Sequence, residues 1–415
     1  MTKLSVLLSA LLTLTVVLAS PVVQIRDSII TIPIAKKIVS TGSRNFVEAE
    51  RARAQGLIAR GKAKAAARAR GESDAAVGNI PVTNQAVTYV SNVGVGSPPT
   101  QYELLIDTGS SNTWVGAGTA YKKTSTSVNT GKRVSVTYGS GSFSGTEYLD
   151  TVSLGPSLVI QQQSIGVAST SSGFDGVDGI LGIGPVDLTE GTVSGENSIP
   201  TVTDNLFARG IISSNEIGIS FEPTTTPEVT NGELTFGGID STKFTSSITY
   251  APITSTSPAG EFWGIDQSIS YGTDFFNILP RTAGIVDTGT TLILLATNAF
   301  ELYKLRTGAT EDSSTGLLKI SNDNLGRLKN LNFHIQGVTF ELTPNAQLFP
   351  HSLNTDIGGS ATDNYLIVND LGTPSGEGLD FINGYAFLER FYSVYDTANQ
   401  RVGFATTPFT DATTN

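Results

Sequence analysis

The sequence predicts a mainly β, bilobal protein whose two similar β-rich lobes enclose a cleft. From about residue 80 onward, short runs rich in Val, Ile, Thr, Tyr and Phe alternate with Gly, Pro, Asn and Ser turns, which is typical of a largely antiparallel β protein. The tripeptide Asp-Thr-Gly occurs twice, in LLIDTGSSNTWV (104–115) and GIVDTGTTLILL (284–295). At 415 residues the chain also exceeds the usual size of one domain. A duplicated β-rich unit accounts for all three observations.

Each copy of Asp-Thr-Gly has the same local setting. An apolar strand precedes the aspartate and fixes where its carboxylate points, and the glycine permits the sharp turn that leads to the following hydroxyl residues. A further echo follows in DGILG, with Gly182, and in FINGY, with Gly384. We therefore expect an N-terminal lobe over 76–255 and a C-terminal lobe over 256–415, packed about a pseudo-two-fold axis that brings equivalent residues together.

Few helices are expected in the two lobes. The stretches 200–212 and 296–308 are the candidates, the second with Thr297 as its N-cap and Gly308 at its end.

The first 19 residues predict a secretory signal peptide. One Lys is followed by a Leu/Val-rich run and then by the small residues Ala19 and Ser20. A signal anchor or a buried helix is the alternative, but the apolar run is shorter than a membrane span. The protein is therefore expected to be secreted and extracellular, with no stable membrane association.

Residues 20–75 are predicted to form a basic propeptide. The stretch 21–74 contains 11 Lys and Arg against 5 Asp and Glu, whereas 75–415 contains 14 against 32. Within it, 47–70 is rich in Ala and Arg and should be helical. A basic helix could bind nucleic acid or a membrane, but in a chain whose remainder is acidic an intramolecular partner is favoured. We expect no nucleic-acid partner and a monomeric protein.

No metal or cofactor is expected. The chain has no Cys, and its only two His residues are His334 and His351. His334 lies in an alternating, strand-like stretch, where an ordinary packed or exposed position is favoured over a ligand site. Stability must come from burial of a large core, because disulfides are not available.

Asp107 and Asp287 are the candidate chemical groups. One Asp-Thr-Gly alone could be a solvated turn, but two matched copies at half-chain spacing are hard to explain in that way. If folding brings the two carboxylates together, the pair holds one proton over an acidic pH range, since both cannot comfortably ionise. The carboxylate can then take a proton from a water molecule while its protonated partner hydrogen-bonds a carbonyl under attack. Such a pair hydrolyses amides without a covalent intermediate.

Four stretches, 107–116, 138–145, 178–184 and 284–292, resemble the pepsin-like aspartic endopeptidases, and the fungal acid proteases of the polyporopepsin type are the most similar. The resemblance covers most of the chain from about 80 to 407. It implies the bilobal pepsin-like acid protease fold and a protein or peptide substrate bound in an extended conformation. It implies that the catalytic pair is Asp107 and Asp287. The substrate-binding residues that it implies are Tyr138, Gly139, Ser140, Gly289, Thr290 and Thr291. The supporting residues that it implies are Thr108, Gly109, Ser110, Trp114 and Thr288.

The resemblance also assigns roles to the supporting hydroxyl groups. Thr108 and Thr288 correspond to threonines that hydrogen-bond across the seam beneath the pair and lock both carboxylates into one plane. Ser110 and Thr290 match hydroxyls that support the outer carboxylate oxygens. Such support matters, because a misplacement of about 1 Å can cost 100-fold in rate.

The hairpin VSVTYGSGSFSG corresponds to the flap that covers the cleft, with Tyr138 as the flap tyrosine. The residues alone leave an ordinary hairpin turn open as the alternative. Trp114, seven residues after Asp107, is expected to hydrogen-bond that tyrosine, and its alternative is simple core packing.

The propeptide is expected to act as an intramolecular inhibitor. Its Lys and Arg residues would pair with carboxylates of the body near neutral pH and block the cleft, and acid would protonate those carboxylates and release the arm. The stretches IAKKIVS and GKAKAA both offer a Lys that could face the catalytic pair, and the sequence does not choose between them.

Two departures and two rival functions accompany the resemblance. Many pepsin-like enzymes carry disulfides, which this chain cannot form, and Asn383 stands where the family usually has an apolar residue, so it needs polar partners if it is buried.

One rival is a binding protein of the same fold that has lost hydrolysis, although the aspartates, their glycines and the flap tyrosine are all present. The other is a glycosidase with a carboxylate pair, whose two acids would not be expected on matching turns.

Overall fold

The computed structural model describes residues 29–38, 46–70, 87–139 and 141–415. The predicted signal peptide, the junction after the predicted propeptide and Ser140 lie outside these ranges. In chain order the strands are β1 (Ile30–Ile38), β2 (Val87–Val95), β3 (Thr100–Asp107), β4 (Thr113–Val115), β5 (Val128–Thr137), β6 (Ser142–Gly155), β7 (Leu158–Ser172), β8 (Gly179–Gly182), β9 (Glu216–Ser220), β10 (Glu228–Phe236), β11 (Thr249–Pro252), β12 (Gly264–Tyr271), β13 (Phe276–Val286), β14 (Ile293–Leu295), β15 (Thr310–Glu311), β16 (Leu318–Ile320), β17 (Leu331–Ile335), β18 (Val338–Leu342), β19 (Asn364–Leu366), β20 (Val368–Asp370), β21 (Phe381–Asn383), β22 (Phe391–Asp396) and β23 (Arg401–Thr406).

Helices are fewer and mostly short, as predicted. The α-helices are α1 (Phe46–Arg70), α2 (Val202–Ala208), α3 (Thr297–Thr307), α4 (Asn322–Leu325) and α5 (Tyr385–Leu388), and single 3-10 segments lie at Val186–Thr189, Ala259–Glu261, Asn345–Gln347 and His351–Ile357. The predicted N-cap Thr297 is wrong: Ala296 holds that position, and the Thr297 hydroxyl instead donates to Asp370 at 2.7 Å. Gly308 ends α3 in the left-handed conformation, where glycine is favoured.

The described strands form three sheets. The largest has 13 strands in the order β11-β23-β22-β9-β10-β1-β2-β3-β8-β4-β7-β6-β5, and a second has seven in the order β18-β17-β12-β13-β21-β14-β20. A small third sheet has the order β15-β16-β19. Strands β22 and β23 from the end of the chain join the largest sheet, so this sheet links the two halves. The mainly β, bilobal prediction is confirmed.

The two halves repeat one arrangement around the Asp-Thr-Gly copies. In the first, β3 runs parallel to β8, and β8 is antiparallel to β4. In the second, β13 runs parallel to β21, and β21 is antiparallel to β14. Asp107 pairs with Gly182, and Val286 pairs with Asn383, which directly precedes Gly384. The glycines of the two sequence echoes therefore occupy equivalent places beside the two aspartates.

The N-terminal arm, defined here as β1 and α1, is integrated into the body. Strand β1 lies between β10 and β2 inside the largest sheet. Its Lys36 is buried and forms an ion pair with Glu389 at 2.8 Å, and the hydroxyl of Tyr89 donates to the same carboxylate oxygen at 2.9 Å. A buried pair of this kind is costly to break, since either partner left alone would be an uncompensated charge.

Asn383 finds the polar partner that its burial demands. Its side-chain nitrogen donates to Oε1 of Gln267 at 2.9 Å, and Nε2 of Gln267 donates back to Oδ1 of Asn383 at 3.1 Å. Both side chains are fully buried. Their strands β21 and β12 flank β13, so this amide pair joins the two neighbours of the strand that leads to Asp287.

His334 occupies an ordinary strand position. It lies on β17 and hydrogen-bonds the hydroxyls of Ser270, at 2.8 Å, and Thr339, at 3.0 Å. Across the described ranges, no helix is both long enough and apolar enough to cross a membrane.

Candidate active site

Asp107 and Asp287 lie at equivalent strand ends and face one another across the two halves. Asp107 is the last residue of β3, and Asp287 follows β13 directly. Both side chains are fully buried. A β-carbon added to Gly109 would lie 2.7 Å from Oδ1 of Asp287, and one added to Gly289 would lie 2.7 Å from Oδ1 of Asp107. The third residue of each Asp-Thr-Gly must be glycine because the opposite carboxylate occupies that space.

Each carboxylate is held by the turn that follows it. Oδ1 of Asp107 accepts from the Gly109 main chain at 2.9 Å, and Oδ2 accepts from the Ser110 hydroxyl at 2.5 Å. Asp287 has the same pattern with Gly289 at 3.1 Å and the Thr290 hydroxyl at 2.5 Å. The local sequence thereby orients both aspartates before any other part of the chain takes part.

Thr108 and Thr288 hydrogen-bond across the seam beneath the pair. The Thr108 main-chain nitrogen donates to the Thr288 hydroxyl at 3.0 Å, and the reciprocal bond measures 2.9 Å. The Thr108 hydroxyl then donates to the carbonyl of Val286 at 3.3 Å, and that of Thr288 donates to the carbonyl of Ile106 at 2.9 Å. Four buried bonds therefore tie the two loops together.

The guanidinium of Arg53 from α1 lies directly on the aspartate pair. Its Nη2 is 2.6 Å from Oδ1 of Asp107 and 2.9 Å from Oδ1 of Asp287, and its Nε is 2.8 Å from Oδ2 of Asp287. Nε also lies 3.3 Å from the Thr290 hydroxyl. The cation facing the pair is thus an arginine in the middle of the helix, not a lysine of IAKKIVS or GKAKAA. Lys36 of the first stretch pairs with Glu389, and Lys62 and Lys64 of the second reach other carboxylates.

Arg53 and Asp287 shift one another's pKa. Burial by itself would raise the pKa of Asp287, but the charge and hydrogen bond of Arg53, together with the hydrogen bonds from Thr290 and Gly289, lower it below the usual value. Burial would likewise lower the pKa of Arg53, yet the two aspartates hold it above its usual range. With the arm in place, the ionised form of Asp287 is therefore favoured over the protonated form.

Glu50, one turn before Arg53 on α1, forms a second contact with the catalytic loop. Its Oε2 accepts from the main-chain nitrogens of Thr291, at 2.7 Å, and Leu292, at 3.2 Å. Burial raises the pKa of Glu50 to about 7, and these hydrogen bonds oppose that effect. Thr290 and Thr291, two of the predicted substrate-binding residues, are therefore both occupied by the arm.

The flap packs on the same helix. Tyr138 is buried, and a β-carbon added to Gly56 of α1 would lie only 2.2 Å from the α-carbon of Gly139. Two glycines thus allow the backbones of flap and helix to touch. The predicted flap residue Ser140 lies outside the described residues.

The hydrogen bond expected between Trp114 and Tyr138 stays a prediction. Nε1 of Trp114 and the hydroxyl of Tyr138 are buried, and neither has a hydrogen-bond partner in good geometry among the described residues. Burial raises the pKa of Tyr138 above its usual range, and the charge of Arg60 and a hydrogen bond with Trp114 oppose that effect. The Phe174 ring meets both edge-on, with centroids 4.9 Å from Trp114 and 5.4 Å from Tyr138. Aromatic packing therefore contributes to the positions of both side chains.

The sequence interpretation missed Arg53, Glu50 and Phe174. One signal was present for the first two: Gly56 and Gly61 interrupt a stretch of good helix formers, at a cost of about 1 kcal/mol each relative to Ala. A β-carbon added to Gly61 would lie 2.7 Å from the Pro258 side chain. The two glycines therefore mark the side of α1 that packs closely on the body, which is also the side of Arg53.

Two β lobes with one buried aspartate each, on matching loops that meet at a seam, define an aspartic endopeptidase. The chain belongs to this family, because the model of the family described as "Eukaryotic aspartyl protease" matches residues 88–407. It is 66% identical over 342 residues to polyporopepsin of Irpex lacteus, covering 82% of this chain and 100% of that protein. It is 30% identical over 347 residues to gastricsin of Cavia porcellus, covering 79% and 82%. The crystal structure of the aspartic proteinase from Irpex lacteus matches with a TM-score of 0.77 at 66% identity, covering 79% of this chain and 96% of that one.

The predicted enzyme class and the resemblance to pepsin-like proteases are thereby confirmed. Enzymes of this family act through a water molecule activated at two aspartates, and the match argues against both the non-catalytic binding protein and the glycosidase.

Proposed function

We propose that the chain is the secreted zymogen of an aspartic endopeptidase that hydrolyses proteins at acidic pH, with Asp107 and Asp287 as its catalytic pair. The observation that carries the proposal is the contact of Arg53 with both carboxylates. A cation that is itself part of the chain occupies the place where water and the substrate carbonyl must lie. The monomeric state and extracellular location belong to the proposal as well.

Catalysis begins once the arm has left the cleft. Without Arg53, two buried carboxylates in contact take up one shared proton, since like charges at this distance cannot both persist. The ionised member accepts a proton from the bound water, whose oxygen attacks the peptide carbonyl, and the protonated member hydrogen-bonds the carbonyl oxygen. The tetrahedral intermediate collapses when the amide nitrogen receives a proton and leaves.

The surrounding residues hold the substrate and the pair. An extended peptide lies beneath the flap, with Tyr138, Gly139 and Ser140 above it and Gly289, Thr290 and Thr291 below. Thr108, Gly109, Ser110, Trp114 and Thr288 keep the pair and the flap in register. The occupation of Thr290 and Thr291 by the arm supports this role, because the Thr290 hydroxyl, which accepts from Arg53, and the Thr291 main-chain nitrogen, which donates to Glu50, both face the cleft.

Acid removes the arm by neutralising the carboxylates that hold it. Arg53 lowers the pKa of Asp287, and Lys62 lowers the pKa of Glu377. For carboxyl groups with lowered pKa the sign is fixed: their contribution to docking is present above the unpaired pKa and is lost as the pH falls through the lowered one. The arm is therefore retained near neutral pH and released in acid.

Acid processing of the secreted chain tests the proposal. The full-length protein is held at pH 7 and at pH 3.5, its N-terminus is sequenced, and casein hydrolysis is measured with and without pepstatin. Asp107→Asn and Asp287→Asn are compared with Asp323→Asn, which changes an exposed aspartate in α4.

Acid treatment should give a shortened chain that begins between residues 71 and 81 and cleaves casein in a pepstatin-sensitive way. Asp107→Asn and Asp287→Asn should each lose at least 1,000-fold in activity, and Asp323→Asn should keep the activity of the wild type. Casein hydrolysis that survives Asp107→Asn would exclude the proposed pair, and full activity of the uncut chain at pH 7 would exclude the zymogen.

A further inference from the structure

The second half of α1 is bound by a set of carboxylates that the catalytic mechanism does not use. Lys62, Lys64 and Arg68, which follow Arg53 on this helix, form ion pairs with the body. The pairs are Lys62 with Glu377 at 2.7 Å, Lys64 with Glu190 at 3.1 Å, Arg68 with Asp187 at 3.1 Å and Arg68 with Glu261 at 3.3 Å. We call Asp187, Glu190, Glu261 and Glu377 the acidic rim.

The rim is accessible once the helix is absent. Asp187 and Glu377 are about half exposed even with α1 in place, and Glu190 is about one-third exposed, whereas Glu261 is buried with Arg68 3.3 Å away. Among the described residues, the ion pairs of these four carboxylates are all made with α1. Removal of the arm therefore leaves four acidic groups beside the cleft that have lost their cationic partners.

The spacing of the cations along α1 gives the approximate distance between the acidic rim and the catalytic pair. Lys62, Lys64 and Arg68 follow Arg53 by 9, 11 and 15 residues. At about 1.5 Å per helical residue, their α-carbons lie about 14, 17 and 23 Å along the axis from Arg53. An extended peptide advances about 3.3 Å per residue, so these spans equal about four to seven substrate residues. All four carboxylates lie on the same side of the pair, since all their partners follow Arg53.

We propose that the acidic rim is a substrate-docking surface, which favours proteins that carry Lys or Arg four to seven residues from the scissile bond on one side only. The inference rests on the proposed function and adds to it a class of substrate. The occupant it names is a basic, extended segment, and the charge complementarity that supports it is already realised by α1. Exposed ion pairs are weak individually, so the preference is a moderate one that salt screens.

The experiment compares peptides that share one cleavable core. In the first two peptides, one end of the core carries a three-residue neutral spacer followed by a tail, which is Lys-Gln-Lys in one peptide and Gln-Gln-Gln in the other. In the second two peptides, the same spacer and tails are attached to the opposite end of the core. The acid-processed wild-type enzyme is assayed at pH 5 in low salt and in 0.5 M NaCl, and kcat/KM is measured for each peptide.

Two variants give matched comparisons. Asp187→Asn/Glu190→Gln removes two charges from the rim. Glu301→Gln/Glu311→Gln removes two charges from the surface around Lys304, away from the arm.

The Lys tail should raise kcat/KM three- to tenfold over the Gln tail at one end only. The ratio should fall to about one in 0.5 M NaCl and in the rim variant, and it should persist in the control variant. Equal rates with both tails, equal gains at both ends, or a gain that survives high salt would overturn the inference. If the core peptide is not cleaved at all by the wild type, the proposed function fails instead, so the two failures are distinguishable.

Discussion

The guanidinium of Arg53 bridges Asp107 and Asp287, with Nη2 2.6 Å from Oδ1 of the first and Nε 2.8 Å from Oδ2 of the second. The Arg53 side chain is almost fully buried and both carboxylates are fully buried, so solvent does little to screen the contact. One side chain of the arm thus occupies the site and favours the ionised form of Asp287.

Replacement of Arg53 should open the site before any processing. Arg53→Met leaves two buried carboxylates without a cation, and loss of one partner from such a cluster costs about 3–5 kcal/mol. Hydrolysis of a fluorogenic peptide by the uncut chain at pH 6.5 should therefore rise at least 100-fold, and Arg53→Lys should lie between the two. Gel analysis shows that the chain is still intact during the assay.

The control for Arg53 is Arg51→Met, which removes a partly exposed arginine 3.4 Å from Asp370. It should change the rate less than threefold. If Arg53→Met stays as inactive as the wild type, another part of the arm blocks the cleft.

Glu50 should weaken docking of the arm above neutral pH. Burial raises its pKa to about 7 from 4.5, so its contribution to docking is present below pH 4.5 and is lost as the pH rises through 7. Hydrogen exchange of α1 in the wild type should be faster at pH 8.5 than at pH 6, and Glu50→Gln should remove most of that difference. Glu48→Gln, which changes an exposed acid on the same helix, should behave like the wild type. A pH dependence that is identical in all three proteins would contradict the assignment.

Glu147 should limit the stability of the body at neutral pH. It is buried on β6, its Oε1 accepts from Ser164 at 2.6 Å, and Oε2 has no partner among the described residues. Burial raises its pKa to about 7, and the charge of Glu196 adds to the effect, so stability is lost as the pH rises through 7. At pH 8, Glu147→Gln should be more stable than the wild type by up to about 3 kcal/mol, so it should melt at a higher temperature. At pH 5 the two proteins should melt at the same temperature.

Glu341→Gln, which changes an exposed glutamate, serves as the control for Glu147. It should change the free energy of unfolding by no more than about 0.5 kcal/mol at pH 8 or at pH 5. Equal melting of the Glu147 variant and the wild type at pH 8 would show that the pKa of this carboxyl is not raised in the folded state.

The buried amide pair of Gln267 and Asn383 should behave as a coupled unit. Asn383→Leu leaves the Gln267 amide buried without its partner, and such an unsatisfied group costs about 1–3 kcal/mol. Gln267→Leu should cost a similar amount, whereas the double variant should recover most of the stability. Urea unfolding at pH 5 of all four proteins gives the coupling energy. Strictly additive losses would show that the two amides do not depend on one another.

The sequence was sufficient for the fold class and for the position of the aspartates because both depend on local patterns. The Asp-Thr-Gly turns, the apolar strands before them and the hydroxyls after them are contiguous, and each turn holds its own carboxylate through Gly109 and Ser110 or their equivalents. Duplication then implied that the two copies meet.

The residues that the sequence could not supply are those whose roles depend on docking. Arg53 and Arg60 are seven residues apart and lie on the same face of the helix, so the sequence pattern does not tell which of them reaches the pair; the close packing of Gly56 on Gly139 of the flap accompanies the choice of Arg53. Lys36 and Glu389 are separated by 353 positions, and no local rule couples them. Phe174 was hidden for the same reason, since its ring meets Trp114 and Tyr138 only after the flap has folded over.

Because β1 lies in the middle of the largest sheet, it should stay bound to the body after cleavage of the arm, whereas α1 should be released. The backbone of β1 pairs with β10 over eight positions and with β2 over four, whereas α1 is held mainly by side chains and close packing, with a main-chain bond from Val47 to Thr315 at 3.2 Å. A cut between residues 38 and 46, together with the cut expected between residues 71 and 81, would release α1 and uncover Asp107 and Asp287, yet it would leave β1 bound as a separate peptide. Active enzyme prepared in this way would carry that fragment non-covalently through purification, and native mass spectrometry would show a heavier species than denaturing conditions do.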